Sequence, residues 1–201
     1  MPIRPRHMAE EDFGPFFNEF HQNVVQGHRD FARECAAQAS KYRPNTRRDI
    51  IRDNIVDRLR AALDGRRGVH IRDRYGTTYF NFFGRWRLTV RMLDEKKLGV
   101  VLNRTQLAFG FQYNIDNFPP LGPMFQGTTA VYLGYLVPEN EDDLDVIMVA
   151  PNGKRNAWDM PIVPKRRGDV VPLPTRGPPP APENEQLVHV PEKETGREND
   201  E

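Results

Sequence analysis

The chain has 201 residues, with 29 Lys or Arg against 28 Asp or Glu and a net charge of +1. That length holds one domain of ordinary size plus tails, and the balanced charge excludes steering toward nucleic acid by net charge alone. The single cysteine excludes a disulfide framework within the chain, and the lack of a signal-peptide pattern or long apolar run predicts a cytoplasmic protein that does not enter a membrane.

Residues 1–10 read as a flexible arm, because Met1-Pro2-Ile3-Arg4-Pro5-Arg6 has two prolines and no periodicity. Phe13, Phe17, Phe20, Val24, Phe31 and Cys35 then fall near helical spacing, with Pro15 in the first turn and a break expected at Gly27. The stripe reads as a core face or a partner-docking face. Arg43-Pro44-Asn45 ends this helix, and Thr46 is the expected N-cap of a second. There Ile51, Ile55, Leu59, Ala62 and Leu63 form the buried stripe, with Gly65 as the C-cap residue. Its other side carries Arg47, Arg48, Arg52, Arg58 and Arg60 among Asp49, Asp53 and Asp57. Pairs along the helix should offset much of that charge.

Three strands are expected at 69–74, 78–83 and 85–93, with turns at Tyr75-Gly76-Thr77 and Gly84. In the third, Trp86, Leu88, Val90 and Met92 alternate with Arg85, Arg87, Thr89 and Arg91. A period of two sends the apolar set to one face and three guanidiniums to the other. The first strand repeats the pattern, with Val69 and Ile71 opposite His70, Arg72 and Arg74. Thr105 should cap a short helix through Gln112, and 117–123 should form a proline-rich loop. Strands follow at 129–137 and 144–150, joined by an acidic turn at 138–143. Asn152-Gly153 then signals a hairpin into a last strand at 155–162 that carries Trp158. After residue 163 the chain holds eight prolines, many charges and no aromatics, which reads as a disordered tail with polyproline II character.

The expected fold class is α+β: two amino-terminal helices, a mostly antiparallel sheet of five or six strands and one inserted short helix. The domains are a flexible arm at 1–10, one α+β domain at 11–163 and the tail at 164–201. Arg72, Arg74, Arg85, Arg87 and Arg91 form a candidate cationic face for a protein or a nucleic acid. Tyr75, Tyr79 and Phe82 are nearby groups on which bases could stack. Paired with acids such as Asp73, the same strands would be an ordinary solvated sheet face. The five scattered histidines make no metal-ligand pattern, the sole serine, Ser40, stands in no nucleophile elbow, and no phosphate-binding glycine loop is present.

The order helix, three strands, helix, strand over 46–137 resembles the core topology of the PD-(D/E)xK nuclease superfamily. That resemblance implies a magnesium site, for which Asp73, Glu95 and Lys97 are the matching residues. The run Leu93-Asp94-Glu95-Lys96-Lys97-Leu98-Gly99 also reads as a charged turn at a strand end. Residues 49–162 are similar to an uncharacterised family of small bacterial and phage proteins. The shared residues are Asp53-Asn54-Ile55-Val56, Arg85-Trp86-Arg87-Leu88, Thr105-Gln106-Leu107-Ala108 with Gln112, Leu133-Gly134-Tyr135, and Ala150 through Trp158. Where members of that family carry a phenylalanine and lysines, this strand has Trp86, Arg87 and Thr89. Members are often encoded beside helix-turn-helix regulators and zinc peptidases of the ImmA/IrrE type. The resemblance implies a partner protein in a regulatory, stress or prophage module and carries over no catalytic residue or cofactor. The expected function is therefore a non-enzymatic interaction protein, with the magnesium-dependent nuclease as the alternative.

Overall fold

The computed structural model describes residues 3–74, 76–99, 106–115, 126–137 and 144–164. Tyr75, the Thr105 cap, the 117–123 loop, the 138–143 turn and the tail beyond Pro164 lie outside them. The fold is α+β, as the sequence predicts. Helices α1 (Arg6–Phe13), α2 (Phe17–Cys35) and α3 (Pro44–Leu63) precede strands β1 (Val69–Arg74), β2 (Thr77–Phe82) and β3 (Trp86–Met92). Helix α4 (Gln106–Gln112) then leads to β4 (Thr129–Leu136), β5 (Asp145–Asn152) and β6 (Arg155–Pro161). Short 3-10 turns at Gly14–Phe16 and Ala36–Lys41 link the first three helices. The strands lie side by side in chain order in one six-stranded sheet. Every pair is antiparallel except β3 and β4, which are parallel. A parallel pair needs a crossover, and the segment bearing α4 supplies it.

Helices α1–α3 cover one sheet face. Phe13 and Phe20 meet Phe82 there, with ring centroids 5.0 and 5.8 Å apart, and Ile55, Leu59 and Leu63 of α3 complete the core with Leu88, Val90, Leu133 and Met148. The second face is buried at its centre by α4. Phe111 stacks on Tyr132 at 4.9 Å and lies 6.0 Å from Tyr79, in a smaller cluster with Ala130, Ile147 and Val149.

Four local expectations are corrected. The amino-terminal segment is helical from Arg6, because Ala9 and Phe13 are fully buried against the sheet. Arg4 is docked as well: its backbone carbonyl accepts a bond from Trp158 Nε1 at 2.8 Å, and its Nη2 donates to the Gly127 carbonyl at 3.1 Å. Helix α2 runs unbroken through Gly27. A Cβ on Gly27 would stand 2.7 Å from Ile55 Cγ1 and 2.8 Å from the Ile55 backbone nitrogen, so this glycine allows close approach of α2 and α3. Helix α3 starts at Pro44 after Arg43, not after Thr46, since proline suits a first turn where no N–H is needed. The arginines of α3 also reach beyond their own helix: Arg58 pairs with Asp30 of α2, and Arg60 with Asp73 of β1 at 2.6 Å.

Candidate interaction surface

The pairings His70↔Asn81, Arg72↔Tyr79 and Asn81↔Arg87 set the faces of the first three strands. Alternation then places His70, Arg72, Arg74, Thr77, Tyr79, Asn81, Arg87, Thr89 and Arg91 on the sheet face opposite α1–α3. Four of the five candidate arginines therefore share a face, but they do not share an environment.

Arg87 is fully buried. Its guanidinium lies 5.5 Å from the centroid of the Phe111 ring and donates to the Ile115 carbonyl at 3.2 Å. The expectation of a solvent-facing Arg87 is thus overturned, because β3 is an inner strand and the crossover brings α4 over its second face. Arg85 departs in the other direction. It precedes β3, and its Nη2 donates to Asp12 Oδ1 of α1 at 2.9 Å, while Trp86 Nε1 donates to Asp12 Oδ2 at 2.7 Å. The Asp12 side chain is only 9% exposed, so Arg85 neutralises a nearly buried carboxylate and ties α1 to the sheet.

Of the remaining three arginines, Arg72 and Arg74 stand on edge strand β1, and Arg91 stands on β3 with β2 between. Arg72 and Arg74 are exposed, and Arg91 is half-buried. Arg72 makes no ion pair among the described residues, and Arg91 Nε is buried with no hydrogen-bond partner among them. Burial pushes the Tyr132 hydroxyl up to about 12 and raises that of Tyr79, and the Arg91 charge opposes both shifts. Arg91 and Arg87 are therefore both cations of this tyrosine cluster. His70 is exposed on the same face. The arrangement is a cationic strip that runs from β1 to the end of β3 on one sheet face. Guanidiniums held this way can bind carboxylates or phosphates.

The residues matched to a nuclease site do not come together. Asp73 lies on the helix side of edge strand β1, where Arg60 Nη2 and Thr78 Oγ1 donate to its Oδ1 at 2.6 and 2.7 Å. The Arg60 bond, with help from Thr78, holds the Asp73 carboxyl below the usual carboxylate range. Lys97 pairs with Asp159 of β6, the opposite edge strand, at 2.7 Å. Glu95 is exposed in the turn between them in sequence. That turn is built by Asp94, whose Oδ1 accepts the Lys96 and Leu98 amides at 2.9 and 2.8 Å, and Lys97 sits in it with a φ of +58°. Among the described residues, no group of three His, Cys, Asp or Glu side chains could hold a metal ion. No described helix is long and apolar enough to cross a membrane.

Two structural acids carried no signal in the sequence. Asp12 and Asp30 each stand on a helix among ordinary surface charges, and only the tertiary packing brings Arg85 and Arg58 onto them. Asn114 was likewise hidden, as discussed below. No protein-family model, curated protein or solved structure matches the chain.

Proposed function

We propose that this chain is a non-enzymatic interaction protein that docks an acidic segment of a partner protein on the cationic strip formed by Arg72, Arg74 and Arg91. The observation that carries this reading is that Arg72 and Arg74 of edge strand β1 share one sheet face with Arg91 of β3. An edge strand offers a row of backbone donors and acceptors to an added strand. An extended segment with carboxylates at every second position could pair with β1 and set its acids on the strip. The family resemblance over 49–162 supports a setting in a regulatory, stress or prophage module, where the chain meets its partner in the cytoplasm. The strip is small and the net charge of the chain is only +1, which favours a local acidic segment over a long polyanion.

The test is affinity purification of the tagged chain from its host, with and without nuclease treatment, beside the variant Arg72→Gln/Arg74→Gln/Arg91→Gln. A protein partner retained after nuclease, released by salt and lost with the triple variant is the expected result. Unchanged binding by a folded triple variant would overturn the reading. Recovery of nucleic acid alone, lost at high salt, would reassign the strip to phosphate binding.

A further inference from the structure

On the helix side of the sheet, the face opposite the strip, a cleft of about 490 Å³ opens between α2, the start of α3 and the ends of β3 and β4. Its apolar wall includes Phe31, Ile51, Met92 and Val137, and Arg47 and Arg48 stand at the same cleft. Neither arginine has a carboxylate partner among the described residues. Among the described residues, Arg47 Nε is buried with no hydrogen-bond partner, and Arg48 only approaches Asn45 Oδ1 at 3.5 Å. The nearest acids of α3 are already engaged, since Arg52 holds Asp49 at 3.1 Å and Asp53 at 2.9 Å. A further orphan lies close by. Tyr135, paired with Met92 in the sheet register, is fully buried; its hydroxyl has no hydrogen-bond partner among the described residues, and the cations acting on it include Arg52 and Arg48. Burial pushes the pKa of that hydroxyl up, so it stays a neutral donor.

A buried donor without an acceptor is costly, and two guanidiniums beside a greasy wall suit an anionic head on an apolar body. We infer that this cleft binds a small organic carboxylate with an apolar body, its head at Arg47 and Arg48 and its body against Phe31, Ile51, Met92 and Val137. The volume falls in the range of sites that enclose small ligands. The apolar wall disfavours a bare inorganic anion, and the unpaired guanidiniums disfavour a neutral hydrocarbon. This inference is independent of the cationic strip on the other sheet face.

Octanoate serves as the probe, with octanol as the tail without the charge and acetate as the head without the tail. Each is titrated into the full-length chain while the Met92 and Val137 methyl resonances are followed by NMR. Octanoate should shift both resonances saturably and bind at least about tenfold more tightly than either control. Arg47→Gln/Arg48→Gln should weaken octanoate by about tenfold or more while leaving the weak octanol response unchanged. Should that variant fail to fold, Val137→Glu, at a position already 40% exposed, places a negative charge at the cleft and should weaken octanoate in the same way. The inference is overturned if octanoate moves neither methyl, if octanol binds as well as octanoate, or if the folded variants keep full affinity.

Discussion

Trp86 is gripped from three directions. Its ring meets Phe13 at 5.4 Å and Trp158 at 6.2 Å, and its indole N–H is bonded to Asp12. Since it is fully buried, Trp86→Ala should cost about 3–5 kcal/mol in urea-induced unfolding, from lost transfer energy plus a cavity. A cost below 1 kcal/mol, roughly that of a surface change, would mean the strand is inside out. Asn114 repairs a gap in the sheet. Register places Pro151 of β5 opposite Ala130 of β4, and proline has no N–H to donate. The Asn114 amide stands in, donating to the Ala130 carbonyl at 3.1 Å and to the Pro151 carbonyl at 2.7 Å while accepting the Ala130 amide. Its φ of +53° is natural for Asn just after a helix. Asn114→Gly keeps that backbone and deletes the amide, so it should cost about 1–3 kcal/mol and speed hydrogen exchange at the Ala130 amide. Unchanged exchange there would refute the patch. Arg87 is the residue whose placement diverged most from its sequence pattern, because alternation assigns a face but not what covers it.

Helix α2 shows the same limit for a glycine. A lone glycine within a helical stripe reads as a break, yet Gly27 is the contact that brings α2 within backbone distance of Ile55. Gly27→Ala should therefore destabilise by about 1–3 kcal/mol, against the usual gain of alanine in a helix, because the two helices must separate. Trimming the partner with Ile55→Val should not restore the loss, since two of the three nearest atoms belong to the Ile55 backbone. Full rescue in thermal unfolding would show that side-chain crowding alone was at fault. The strands were more legible. β1 lies at 69–74 as read, and the other ends shift by no more than two residues, because alternation and turn glycines are local signals. In the last hairpin Gly153 has the positive φ of +69° that its turn requires. Its backbone is also held by Gln112 of α4, which no local signal announced.

Across the whole molecule, stability should depend on pH through titratable groups packed in the helix layer. The hydrogen bond from Arg58 to Asp30 holds that carboxyl below its ordinary value, since the guanidinium bonds the ionised form more strongly than the protonated one. A depressed folded pKa means that the contribution is full above the unfolded value of 3.8 and fades as pH falls through the folded one. Burial lowers the pKa of His21, so protonation is harder in the folded chain and stability starts to decline below 6.5. Urea midpoints of Asp30→Asn should thus lie below those of the parent chain near neutral pH, and the gap should narrow as pH falls below the unfolded value of 3.8. A gap that stays constant with pH would remove the charge from the account. By itself the sequence determined the α+β class, the strand positions, the apolar stripe of α3 and the common face of Arg72, Arg74, Arg87 and Arg91, because each follows from periodicity over neighbouring residues. Only the tertiary structure decided that α4 closes over Arg87, that Asp12 claims Arg85 and that Asp73 and Lys97 stand on opposite edges of the sheet. Those outcomes depend on the crossover and on helix packing between segments tens of residues apart, where burial of one side chain is set by what another segment brings to it.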